Sequence, residues 1–410
     1  MKSKLTIALS AVMLLSAGTA VAEGLTYKPY GFVRNYAVVD SRATKSLSED
    51  LFFFLPLDKQ EVDGQDINDY AKFNFQAITT RLGLDITGYT IGSAKVSAKI
   101  EADFYCLNSS GNTGILRMRQ AYANFAWDKV SLKVGQTWHP MAADMPNCIN
   151  LETGAPFGPF NRSAQIMMDA QLRGGLTLTA GLIEQLQYRS AGPKGSSNLY
   201  QRYALIPEIY AGLSLKTGGL LARAGVDILS IKPQYGFSAD GKKYTDWLTT
   251  VSPFVFAQYT DGSFQIKAKS ILAQAGEHMQ LNSGYAVTGV KDDEVSNEYT
   301  PIRTSASFLS AQYGKTWQLM GMLGYYKNLG TTKDVIDDQV YYSGNGFSNI
   351  DQIIRFTPTV VYNCGKLQLG LEYDITTVNY GAGHDVRMKV TEDLHWVTNH
   401  RLLALMKLSF

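Results

Sequence analysis

The sequence is short of the residues that usually carry chemistry. Its 410 residues include three cysteines and five histidines. None of Cys106, Cys148 and Cys364 has a Cys or His at metal-ligand spacing, so no metal site is expected. No Gly-x-Ser-x-Gly elbow, His-Glu-x-x-His helix or phosphate-cradling glycine loop occurs, and no catalytic residue or cofactor is expected either. Beyond the N-terminus, no apolar run approaches the ~18 residues of a spanning helix, which excludes a helical membrane protein. Charged residues make up 18% of the chain and form no basic block, so a nucleic-acid partner is not expected. Helical periodicity is almost absent, although a soluble chain of this length would normally divide into two or three domains with helices between them.

Residues 1–22 read as an export signal, with Lys2 and Lys4 ahead of the apolar stretch Leu5–Leu15 and Ala20-Val21-Ala22 as the cleavage pattern. Loss of those two lysines leaves the basic residues, 38 in the whole chain, level with the 36 acidic ones. The mature chain, 23–410, is therefore formally neutral. Export also places the cysteines where a disulfide persists. Cys106 opens one long loop and Cys148 sits in the next, so a Cys106–Cys148 bridge is one reading and two unrelated thiols the other.

What is abundant is alternation. Ala94, Val96, Ala98, Ile100, Ala102 and Phe104 interleave with Lys95, Ser97, Lys99, Glu101 and Asp103, and Leu402, Ala404, Met406, Leu408 and Phe410 share one face near the C-terminus. Such a period of two, sustained over segments of 9 to 15 residues, marks strands with one apolar and one polar face. A soluble sandwich and a membrane barrel share that pattern, with opposite sides turned to water.

Connection lengths separate the two. Sixteen strand segments run from 26–37 to 394–410, including segments at 200–215 and 264–278. Tight turns such as Asp128-Lys129, Thr217-Gly218 and Cys364-Gly365 alternate with long, mostly polar loops. This is the layout of an all-β transmembrane antiparallel barrel of about 16 strands with short periplasmic turns and long extracellular loops. A sheet in hydrocarbon leaves no edge, so the last strand must pair with the first. Trp127, Trp317, Tyr122, Tyr259, Tyr313, Tyr362, Tyr373 and Phe410 fall near strand ends, where aromatic girdles are expected. Pro207, Pro253 and Pro358 interrupt three strands, which calls for bulges or a lipid-facing site covered by a neighbouring subunit.

Alternation puts more cations than anions on the inner wall. Arg81, Lys99, Arg117 and Arg119 come from consecutive strands and suit one basic patch. The loop 139–162 carries Asp144 and Glu152; folded inward, it would narrow the lumen and face that patch. Charged groups at the narrowest point set ionic preference, and neutralisation of wall carboxylates is the competing reading. His139, His278, His384 and His395 lie in loops or at strand ends, while His400 projects on the apolar face.

Tyr30-Gly-Phe-Val-Arg34-Asn35, Arg117-Met-Arg119-Gln-Ala-Tyr122, Gly135-Gln-Thr-Trp138 and Pro159-Phe-Asn-Arg162 occur in an order that resembles the DcaP-like trimeric porin family of Gram-negative outer membranes. The match is best over the first 170 residues. The resemblance implies a homotrimer embedded in outer-membrane lipid and passing small hydrophilic, anionic solutes such as dicarboxylates. Within it, Arg117 and Arg119 match the basic fourth-strand motif and Arg162 the loop-closing arginine. The expected function is thus passive diffusion through a charged constriction. A channel specific for a dicarboxylate or sugar, an outer-membrane barrel hydrolase and a surface adhesin are the alternatives.

Overall fold

The period-two pattern becomes a closed wall. In the computed structural model the described residues are 24–107, 114–336, 339–343 and 348–410, so the expected signal segment lies outside them. The wall strands are β1 (Thr26–Asp40), β2 in two pieces (Lys72–Gln76 and Arg81–Ile91), β3 (Ala94–Leu107), β4 (Gly114–Ala126), β5 (Val130–Trp138), β6 (Arg162–Gln171), β7 (Leu176–Glu184) and β8 (Glu208–Thr217). They continue as β9 (Leu220–Ile231), β10 (Leu248–Asp261), β11 (Phe264–Gln274), β12 (Asn297–Gly314), β13 (Trp317–Gly330), β14 (Ile350–Cys364), β15 (Leu367–Tyr380) and β16 (His395–Ser409). All neighbours pair antiparallel. Closure is made by β1 and β16, in register from Phe32↔Ser409 to Asp40↔Arg401, and by the reciprocal backbone bonds of Gly31 and Phe410. No backbone edge is therefore left to face lipid.

The faces sort as the alternation requires. Along β16, Leu402, Ala404, Met406, Leu408 and Phe410 are exposed outward, whereas Arg401, Leu403 and Leu405 are buried inside. Trp127, Tyr259, Tyr313, Trp317, Tyr373 and Phe410 are exposed, and Tyr362 packs on Trp317 with ring centroids 4.7 Å apart. Tyr122 departs from this expectation. It is the register partner of Lys99 and lies under Lys133, so it belongs to the lumen and not to a girdle.

Strand boundaries differ as well, two of them for a clear local reason. The segment 200–215 begins as a short helix, α1 (Leu199–Ala204), which ends at Leu205 in the left-handed region; β8 starts only after Pro207, which has no N–H to give a ladder. The segment 264–278 stops at Gln274, followed by a 3-10 turn at Gly276–Met279. Pro253 and Pro358 do lie within strands, on the outward face. Beyond Pro253 the ladder to β11 gives way to side-chain bonds, with Val251 N donating to Gln274 Oε1 and Gln274 N to Ser252 Oγ.

The lumen is partly filled, and by more chain than the sequence suggests. The loop 139–162 folds inward. So does the middle of the first loop: Leu51, Phe52, Phe53, Phe54 and Leu55 are all fully buried. Of these, Leu51, Phe52, Phe53 and Leu55 form an apolar core inside the barrel with Ile149, Leu151, Phe157 and Phe160, seated on wall residues that include Phe308, Met322, Leu403 and Leu405. Gly324 and Gly370 make room for it, since a Cβ at either position would run into Phe157 or Ile149 respectively.

Candidate pore constriction

The inner-wall cations divide into two groups by what they touch. One group holds the inward loops in place. Arg355 donates to Phe54 O at 2.7 Å and to Ala155 O at 2.9 Å. Lys267 donates to Met145 O at 3.1 Å, and Lys269 to Met141 O. Arg401 forms a bidentate pair with Asp40, at 2.7 and 2.8 Å, and its guanidinium lies 3.5 Å from the Phe54 ring centroid. Arg355 and Arg401 also neutralise wall carboxylates, Asp374 and Asp40, as the competing reading of the charge array expects, whereas Lys267 and Lys269 donate to loop carbonyls instead. The charge of these groups is spent on backbone carbonyls, on two wall carboxylates, Asp40 and Asp374, and on an aromatic face, which is how a buried cation is accommodated.

The other group surrounds a narrow cavity of about 120 Å³ between the inward loop and the wall of β1 to β5. Arg34, Arg81, Arg117 and Arg119 line it together with Glu101, Glu152, Tyr105 and Trp138. Arg119 reaches Glu101 at 2.7 Å and Asp103 at 2.8 Å, and Arg117 reaches Asp103 at 2.8 Å. Arg81 stands further off, 3.9 Å from Glu101 and 3.7 Å from Asp103. Across the gap Glu152 binds Arg34 at 3.1 Å and Lys407 at 3.0 Å. Burial acts to raise the Glu152 carboxyl, but Arg34 and Lys407 outweigh it and hold it at about 2. Although deep in the protein, that side chain keeps 43% of its surface accessible, so the carboxylate edge meets the lumen.

Of the expected constriction residues, Arg81, Arg117, Arg119 and Glu152 therefore meet at one place. Lys99 lies beside it, paired to Asp85 at 2.7 Å and donating at 3.0 Å to the Tyr30 hydroxyl, which in turn donates to Glu101 at 2.9 Å. Arg162 sits behind the cavity, fully buried, 4.6 Å from the Trp138 ring centroid and 3.3 Å from the Tyr188 hydroxyl. Arg117 donates to that hydroxyl too, at 3.2 Å, so Tyr188 couples both arginines. Asp144 does not join them. The 3-10 turn Pro140–Ala142 sends it toward β9, where it binds Arg223 at 2.7 Å.

The disulfide reading is corrected. Cys148 is a free, buried thiol, because the loop crosses the lumen and delivers its neighbours to the far wall. Asn147 N donates to Ser310 of β12 and Ile149 N to Glu372 of β15, whereas the Cys106 backbone belongs to β3. Cys106's side chain lies outside the described residues.

Arg34, Lys407, Tyr30, Tyr188 and Trp138 were not singled out for the constriction, though alternation places Lys407 inside and Arg34 lies in the first-strand motif. The charge around the cavity is uneven. Among the described residues, Arg34, Arg81, Arg117, Arg119, Arg162 and Lys407 face only Glu101, Asp103 and Glu152. The donors are uneven as well: Arg34 Nε, Arg81 Nε, Arg117 Nη2 and Arg162 Nε and Nη1 are buried without an acceptor among the described residues. Trp138, Met145 and Glu152 are shared with a wider space of about 390 Å³ toward the turn rim, so the constriction opens onto it.

No family model and no curated protein matches this sequence. Solved structures do. The outer membrane channel DcaP of Acinetobacter baumannii superposes with a TM-score of 0.67 at 20% identity, over 96% of this chain and all of that one. An anion-selective porin from Comamonas acidovorans gives 0.54 at 11% identity, over 94% of this chain and 100% of the other. In-vitro folded OmpT of Vibrio cholerae, in its trimer form, gives 0.53 at 11% identity, over 95% and 100%. The chain thus has the fold of these proteins, a closed antiparallel barrel of 16 strands shared with outer-membrane porins.

Proposed function

We propose that the chain is an outer-membrane porin through which small hydrophilic solutes, preferentially anions, diffuse passively. The observation that carries the reading is the surplus of buried arginine donors around the narrow cavity. An unpaired buried donor costs about 1–3 kcal/mol, and a passing carboxylate or phosphate offsets that cost while replacing its own lost hydration. The likeness in fold to an anion-selective porin supports the same direction. Solute enters among the long loops, meets the arginines of β1, β2 and β4 opposite Glu152, and leaves by the space at the turn rim.

Residues 1–22 are proposed to direct export and then be removed. A homotrimer is proposed from the trimer form of OmpT. The clustered arginines favour a second, narrower reading, a channel that prefers dicarboxylates, because two carboxylates can use donors that one cannot satisfy. Swelling of liposomes containing the purified protein tests both. Net flux should be faster for a dicarboxylate than for a neutral sugar of equal size; equal or reversed rates would reject the anionic preference, and absence of swelling would reject the porin.

A further inference from the structure

Three cations meet on one phenyl ring. Phe32 faces the lumen from β1 and is 8% exposed. The Arg34 guanidinium lies 4.4 Å from its ring centroid, Lys407 Nζ 4.8 Å and the Arg81 guanidinium 4.9 Å. Strand register alone produces this convergence. Phe32 is the direct partner of Arg81 on β2 and of Ser409 on β16, which makes Lys407 its diagonal neighbour, and Arg34 is the next residue along β1 on the same face. The ring therefore sits at the seam where the barrel closes.

Like charges gathered this closely repel one another, and each is accommodated by a counter-charge or by the negative face of an aromatic ring. For Arg34 and Lys407 the counter-charge is Glu152, at 3.1 and 3.0 Å. Arg81 has no such carboxylate of its own. Both oxygens of Asp103 already accept at 2.8 Å from Arg117 and Arg119, and those of Glu101 accept from Arg119 at 2.7 Å and Tyr30 at 2.9 Å. Arg81 stands off, 3.7 Å from Asp103 and 3.9 Å from Glu101, and its Nε is buried without an acceptor. Its guanidinium rests on Phe32 while lining the narrow cavity.

We infer that Phe32 is a positioning residue for ion selectivity: its ring holds the Arg81 guanidinium away from Glu101 and Asp103, so that this charge stays available to a passing anion. The inference rests on the porin reading above and gives a role to a side chain with neither charge nor hydrogen-bonding group. Each carboxylate oxygen has two lone-pair directions and can take a second donor. Without the ring, Arg81 closes on these acids and its charge is spent there. Arg34 and Lys407 stay with Glu152 in either case.

The test is the zero-current potential in a planar bilayer under a KCl gradient, for wild type, Phe32→Leu, Phe32→Tyr, Arg81→Gln and the double variant Phe32→Leu/Arg81→Gln, each with a heat-modifiable folded band. Phe32→Met takes the place of Phe32→Leu if the latter does not fold. We expect the chloride-to-potassium permeability ratio to fall about threefold in Phe32→Leu, the scale of one lost cation–π contact, and to be kept in Phe32→Tyr, which retains the ring. The double variant should be no less selective than Arg81→Gln alone, because the ring acts through Arg81. A chloride-selective wild type whose ratio is unchanged in Phe32→Leu, or a double variant in which the two losses add, would overturn the inference and leave the porin reading standing. A wild type without chloride preference would overturn both.

Discussion

At the scale of single residues, the account rests on which charges are spent and which are left over. Arg119 is committed to Glu101 and Asp103, so Arg119→Ala should leave two buried carboxylates short of a partner. A loss of about 3–5 kcal/mol is expected from breaking such a pair, visible as a lower unfolding midpoint in urea together with weakened anion preference. Glu152→Gln acts in the opposite sense on selectivity. It removes the anion facing Arg34 and Lys407, and the reversal potential in a salt gradient should move further toward that of chloride. Because Glu152 is held at about 2, below the ordinary 4.5 of its type, its contribution is fully present above pH 4.5 and is lost only as pH falls through 2. Its charge in the constriction should therefore stay constant between pH 8 and 5, and any change of selectivity in that window that Glu152→Gln abolishes would contradict the assignment. Arg81, Arg117 and Arg119 were readable from strand order and face, and Glu152 from the expectation that the loop 139–162 folds inward. Arg162 was placed too near the lumen, because alternation gives a face but not depth, and Asp144 on the wrong side of it: nothing in the sequence says that Trp138 and Phe160 cover Arg162 or that a 3-10 turn diverts Asp144 to Arg223.

At the scale of elements, the strands were legible and the loops were not. Alternation is enforced residue by residue in a wall that divides lipid from water, so boundaries such as Val130–Trp138 emerge directly. Where it misled, a local competitor won: Leu199–Ala204 closed a helical turn before Pro207 allowed a ladder to begin. The inward loops follow tertiary packing instead. Leu51–Leu55 is an apolar run in an otherwise polar loop, and that contrast was the available signal that it enters the barrel. Phe157 is fully buried against Gly324, so Phe157→Ala should cost about 3–5 kcal/mol by opening a cavity. The same change should loosen the constriction loop and raise open-channel noise in single-channel records. Gly324→Val should displace Phe157 and alter unit conductance while the barrel still folds and keeps its heat-modifiable mobility on gels. Unchanged conductance in both variants would mean that the inward loop does not shape the path.

For the whole molecule, the central point is an inverted arrangement in which apolar side chains face outward and a wet, charged axis runs inside. Closure of β1 on β16 removes the edge that hydrocarbon would penalise, and the loop-borne core supplies interior packing that an empty cylinder lacks. Bulk charge gave no hint of ionic preference, since residues 23–410 are formally neutral. The anion preference proposed above rests instead on distribution, with acidic residues placed in loops and in anchoring pairs while arginine donors remain unmatched around the cavity beside Glu152. The most direct measurement is the zero-current potential of the purified protein in a planar bilayer under a KCl gradient. The account predicts stable stepwise conductance with a reversal potential on the chloride side; a cation-selective potential, or a bilayer that stays closed, would contradict it.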